Sequence, residues 1–123
     1  MAKVFLDTNY LIDAIHRKPE RPILASLKNH TIYASPLSFH IYCYIFKIKI
    51  TDENVIIQRK KIIIVDLSED LLDKSLNGPT NDLEDNIQLH SSAEADCDYF
   101  LTNDRNLMKL TYFGKTRIAE KLD

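Results

Sequence analysis

The sequence predicts an α/β domain with a mostly parallel sheet between helical layers, and three observations carry that expectation. Short apolar runs alternate with helix-like stretches along the chain, the order a parallel sheet requires. The first run, Val4-Phe5-Leu6, stops at Asp7-Thr8-Asn9, and a later one, Tyr99-Phe100-Leu101, stops at Thr102-Asn103-Asp104. In open α/β sheets, ligands bind at the carboxyl ends of the strands, near the point where strand order switches. At 123 residues the chain fits one domain, 1–123, long enough to bury a core.

Each element has a local reason. Lys3 to Asp7 reads as the first strand, and Asn9 to His16 as a helix with Leu11, Ile12 and Ile15 on one face. Thr8 is its expected cap, the hydroxyl satisfying an orphan amide. Arg17-Lys18-Pro19 closes that helix, and Pro22 opens another through Leu27, where proline costs no hydrogen bond. Thr31 to Ala34 is rich in residues that favour strands. Ser35-Pro36 pairs a cap with proline at the first helical position, so Pro36 to Lys47 reads as helix. Ile45 to Ile50 is also compatible with strand alternation.

Asp52 caps a helix to Lys60. Ile62 to Val65, four β-branched residues ending at Asp66, reads as a strand buried on both faces. Ser68, with Glu69 and Asp70 in the first turn, begins a helix that ends by Asn77-Gly78-Pro79. Asn81 or Asp82 caps a helix to about Ala95. Asp98 to Thr102 is a strand, Asp104 to Leu110 a short helix, and Thr116 to Ala119 an edge strand.

Composition narrows the function classes. A net charge of -2 lacks the basic excess of a domain that coats nucleic acid. A nuclease stays open, because divalent cations offset carboxylate charge facing phosphate. Cys43 and Cys97 read as buried free thiols, with neither zinc spacing nor a disulfide framework. The N-terminus enters a strand with no signal-peptide pattern, and the longest apolar stretch, Ile41 to Phe46, is too short to span a bilayer. These features point to a cytoplasmic protein without a membrane partner.

Asp7, Asp85 and Asp104 are the candidate catalytic and metal-binding residues. Asp7 and Asp104 follow two strands, and Asp85 lies in the first turn of a helix leading back to the second of them. Asp82 sits three residues earlier on a neighbouring part of that surface. An Asp after a strand is ordinarily a loop or cap residue, and Asp82, Glu84 and Asp85 also complement a helix dipole. Acids delivered to one edge by three separate segments favour a bound cation, and oxygen-rich sites suit Mg²⁺ or Mn²⁺.

Phe5-Leu6-Asp7-Thr8-Asn9, Leu83-Glu84-Asp85-Asn86 and Asp98-Tyr99-Phe100-Leu101-Thr102-Asn103-Asp104 resemble, in order, the motif series of the PIN domain family. The chain is similar to the small stand-alone members typified by VapC toxins. The resemblance implies a Rossmann-like α/β/α sandwich with a four- or five-stranded sheet, and metal-dependent cleavage of RNA. It also implies homodimerisation and, often, an antitoxin partner. By position, Asp7 matches the first family acid, Asp85 the acid on the later helix, and Asp104 the acid or amide after the fourth strand. Thr102 matches the hydroxyl that orients the cluster, and Asn9 a supporting position.

The chain departs from the pattern on the helix beginning at Pro36. Many members follow a hydroxyl residue with Glu three positions later, whereas Ser38 is followed by Phe39, His40 and Ile41. Asp82 or Glu84 could supply a replacement acid from the neighbouring turn. His40 lies one position from the missing Glu, and one helical step turns a side chain by roughly 100°. Tyr42 and Tyr44 could stack on bases, or pack between helices. Arg17, Lys18 and Arg21, like Arg59, Lys60 and Lys61, read as solvated faces that could also guide RNA.

The missing acid motivates an alternative, a degenerate PIN domain that binds RNA or an antitoxin-like partner without cutting. Phosphoryl chemistry fits less well. Haloacid-dehalogenase-like hydrolases need Asp-x-Asp where this chain has Asn9, and receiver domains need an acid pair that is absent after the first strand.

Overall fold

A computed structural model of the chain describes residues 1–16 and 26–122. Six strands form one sheet: β1 (Lys3–Leu6), β2 (Thr31–Ala34), β3 (Ile63–Ile64), β4 (Tyr99–Leu101), β5 (Tyr112–Phe113) and β6 (Thr116–Ala119), in the order β3-β2-β1-β4-β6-β5. Every pairing is parallel except β5 with β6. The helices described are α1 (Thr8–His16), α2 (Pro36–Ile45), α3 (Glu53–Lys60), α4 (Glu69–Leu76), α5 (Leu83–Glu94) and α6 (Arg105–Met108).

Strand alternation divides the core between two faces. Val4 and Leu6 of β1 pack with Leu11 and Ile15 of α1 and Tyr42 of α2. Phe5 points the other way, to Leu89 of α5, Leu107 of α6, Phe100 and Ile118. Its ring stacks on that of Phe100, its register partner on β4, with centroids 5.6 Å apart. Burying each such ring stabilises the fold by roughly 1.5–3 kcal/mol. The result is the expected α/β/α arrangement around a mostly parallel sheet.

Several element boundaries differ from expectation for identifiable reasons. Thr8 lies inside α1 and does not cap it. The cap is Asp7, whose Oδ1 accepts the Tyr10 amide at 2.9 Å. Helix α2 stops at Ile45 because Lys47 turns to φ 52°, and the Ile48 amide returns to the Cys43 carbonyl at 2.9 Å. That is a Schellman-type stop, which satisfies carbonyls the helix would leave open.

Only Ile63–Ile64 of the expected Ile62–Val65 strand joins the ladder, and β3 is an edge with Ile63 50% exposed. Its β-branched run is therefore not sandwiched on both faces. Conversely, β6 is interior, because Tyr112–Phe113 folds onto it as a sixth strand through a two-residue turn. Gly114 takes φ 60° there, the conformation such a hairpin turn requires. Cys97 is fully buried, while Cys43 is only partly so. The start of the helix expected from Pro22, and Arg17, Lys18 and Arg21, lie outside the described residues.

Candidate active site

The direction of strand order changes between β1 and β4, since the chain proceeds from β1 to β2 and β3 on one side and from β4 to β6 on the other. Leu6 pairs with Leu101, so Asp7 and Thr102 leave adjacent strands side by side. The Asp7 amide donates to the Leu101 carbonyl at 3.1 Å. Asp7 is 9% exposed, and its Oδ2 accepts the Thr102 hydroxyl at 2.5 Å. Thr102 Oγ1 accepts in turn from the Asp104 amide at 3.0 Å. Asp104 Oδ1 caps α6, accepting from the amides of Asn106 at 2.8 Å and Leu107 at 3.4 Å.

Helix α5 brings the remaining acids. Asp82 caps it, accepting the Asp85 amide at 2.9 Å. Buried Asn86 fixes the approach: its Nδ2 donates to the carbonyls of Ser75 and Thr80, and its Oδ1 accepts the Thr80 amide and hydroxyl. The turn between α4 and α5 is thereby tied to α5, and the first turn of α5 is held against the strand ends.

Asp7, Thr8, Asn9, Glu84, Asp85, Gln88, Asn103 and Asp104 line a cleft of about 260 Å³. The three acids singled out from the sequence, together with Asn9 and Glu84, thus share one wall-to-wall space. Asp82 instead lines an adjoining depression with Asn81, Asp85, Asp104 and Asn106. The cleft lining contains no Lys or Arg. Burial pushes Asp7 up to about 6, against the stabilising effect of Thr102 and the Tyr10 amide and with a further rise from Asp104 and Glu84. Asp85 also rises to about 6, through burial first and then the charges of Asp82, Asp104, Glu84 and Asp7. Carboxylates held this way take up a proton or a cation more readily than free ones.

The donor set consists of carboxylate, hydroxyl and amide groups, with no thiol or imidazole, which fits Mg²⁺ or Mn²⁺ and not a softer metal. Among the described residues, however, no three His, Cys, Asp or Glu side chains stand close enough to hold a metal ion together. Asp7 and Asp104 spend oxygens on Thr102, Tyr10 and the α6 amides. A cation here would be met by one or two carboxylates at a time plus water, the usual arrangement for Mg²⁺.

Other expected site residues lie elsewhere. Tyr42 is 3% exposed; its hydroxyl lies 3.0 Å from His16 Nδ1, and its ring packs edge-on against His16 and Phe46. It holds α1 to α2 and is not placed to meet RNA. His40 lines an apolar groove between α2 and α3 with Phe39, Cys43 and Ile56, apart from the acids. Ser38 is fully buried, bonded to Thr8 and Gln88. Sequence reasoning missed Gln88 altogether. The available signal was an amide one turn after Glu84 and Asp85, on the same face of a helix and between Ile87 and Leu89.

No family model and no curated protein matches the sequence. Solved structures do. VapBC2 from Rickettsia felis, bound to a DNA fragment from its promoter, aligns at TM-score 0.63 and 17% identity, over 95% of this chain and 97% of that one. VapC20 of Mycobacterium tuberculosis, a sarcin-ricin loop cleaving toxin, aligns at TM-score 0.64 and 9% identity, over 93% and 98%. FitAB bound to an IR36 DNA fragment aligns at TM-score 0.59 and 12% identity, over 94% and 93%. At these identities the likeness is one of fold, and it extends along nearly the whole chain.

Proposed function

We propose, from the premise that this chain has the PIN-domain fold of the VapC toxins, that it is a metal-dependent endoribonuclease of the toxin type. The carrying observation is the cleft at the switch point, where Asp7, Glu84, Asp85 and Asp104 face one space without a basic residue. Mg²⁺ or Mn²⁺ would be held by one or two of Asp7, Asp85 and Asp104 at a time, with water completing its shell. When bound, such an ion lowers the pKa of an attacking water and neutralises charge on the scissile phosphate.

The chain's own residues set the geometry. Thr102 and the Tyr10 amide fix both oxygens of Asp7, so that carboxylate cannot rotate away. Thr102 couples Asp7 to the backbone at Asp104. Asn9 and Asn103 provide amide groups at the mouth for substrate oxygens. The Rickettsia VapBC2 and FitAB assemblies support a cognate antitoxin as partner. Exposed Tyr44, Ile45, Ile50 and Ile57 support a homodimer. No described helix is long and apolar enough to cross a membrane.

The experiment is a panel of defined RNAs with Mn²⁺, run for the unmodified chain and Asp7→Asn. Cleavage by the first and none by the second is expected; equal rates would sink the assignment. A second reading, a PIN domain that binds without cutting, is favoured by Ile41 in place of the helix acid and by the lack, among the described residues, of a ready three-carboxylate grouping. Calorimetry that detects no Mn²⁺ site at millimolar metal would select it.

A further inference from the structure

Thr8, Ser38 and Gln88 close a ring of hydrogen bonds in the wall of the acid cleft. Gln88 Oε1 can only accept, so the Ser38 hydroxyl donates to it across 3.4 Å. Its single proton spent, Ser38 accepts from Thr8 across 2.9 Å. Thr8 accepts from Gln88 Nε2 across 3.1 Å. Each hydroxyl donates once and accepts once. Turning the amide over reverses the ring and leaves the same count.

A primary amide carries two N–H groups, and the second one of Gln88 has no partner among the described residues. Gln88 is 1% exposed and lines the cleft with the acids, so this donor is held in place at their side. The ionised carboxylates around it are acceptors only, and the Thr8 proton is committed to Ser38. Asn9 and Asn103 are the other donors in the lining, and both are exposed. The non-bridging oxygens of a phosphodiester are acceptors and can be met directly only by donors.

We propose that Gln88 donates its remaining N–H to a non-bridging phosphate oxygen of the bound RNA strand, with Thr8 and Ser38 holding the amide in position. This rests on the nuclease reading above. It gives Ser38 a function although Ile41 stands where the family pattern has an acid: the hydroxyl orients an amide instead of accompanying a carboxylate.

The test compares the unmodified chain with Gln88→Ala, Gln88→Glu and Ser38→Ala, reading RNA cleavage with Mn²⁺ and Mn²⁺ affinity by calorimetry. Gln88→Glu keeps the side-chain shape and exchanges the donor for an acceptor, so it reports even if the alanine variant folds poorly. Loss of a pre-organised donor should lower kcat on the order of 10²-fold in both Gln88 variants. Mn²⁺ affinity of Gln88→Ala should stay within about threefold, because the donor meets phosphate and not metal. Ser38→Ala, which only loosens the ring, should fall between.

A phosphorothioate at the scissile position adds a readout that packing alone does not move. In one diastereomer, sulfur should slow the unmodified chain and cease to slow Gln88→Ala further. Cleavage by both Gln88 variants at the unmodified rate, or an undiminished sulfur effect in Gln88→Ala, would overturn the inference and leave the nuclease reading standing. No RNA cleavage by the unmodified chain would overturn both.

Discussion

Thr102 stands between two acids, donating its hydroxyl to Asp7 Oδ2 at 2.5 Å while accepting the Asp104 amide at 3.0 Å. It is fully buried, and its partner Asp7 is buried too. Thr102→Val keeps the shape and removes both bonds. Leaving buried polar groups unpaired costs about 1–3 kcal/mol, to be read in urea unfolding. The lost hydroxyl also stops lowering the Asp7 pKa. Cleavage by this variant should therefore recover at higher pH than in the unmodified chain, as a pH–rate profile would record.

Metal-free protein should lose stability as pH rises. Asp7 moves from 3.8 to about 6 on folding, so the folded state binds its proton more tightly than the unfolded state. The stabilisation is fully present below pH 3.8 and is lost as pH rises through about 6. A shift of that size corresponds to about 3 kcal/mol. Asp85 acts in the same direction, weakened by its partial exposure. With chelator present, Asp7→Asn should be the more stable protein at pH 8, and the gap should close at pH 4. A urea series that found the variant less stable at pH 8 would refute this.

Asn86 ties the turn between α4 and α5 through four hydrogen bonds. Asn86→Ala should destabilise the fold by about 2 kcal/mol or more, since buried carbonyls and the Thr80 amide lose their partner. It should also weaken Mn²⁺ binding, because Asp85 lies in the first turn of α5, next to Asn86. Thermal unfolding together with calorimetry measures both.

Tyr42→Phe should leave RNA cleavage unchanged. The ring is retained, only its hydroxyl bond to His16 is lost, and the expected stability change is about 0.5–1.5 kcal/mol. A large loss of cleavage at unchanged stability would return Tyr42 to the substrate path.

Much of this was legible in the chain because strand ends advertise themselves. Asp7 and Asp104 follow apolar runs, and a parallel sheet brings such ends to one edge. The misreadings have physical causes. Ile62 to Val65 has the composition of a central strand, but strand position depends on what pairs beyond it, and among the described residues nothing pairs beyond β3. Thr8 looked like a cap because hydroxyls commonly cap helices; the neighbouring carboxylate took the amide first. Gln88 was invisible because a lone amide in a helix reads as solvent-facing until a ring of partners is seen around it.

The bond between Asp7 and Thr102 joins residues 95 positions apart. During synthesis on the ribosome, the first acid therefore emerges long before the strand that will hold it. Until β4 has been made and has docked on β1, the growing polypeptide has no assembled pocket. Asp7 and Asp104 can face one space only once that far strand has settled into the middle of the sheet.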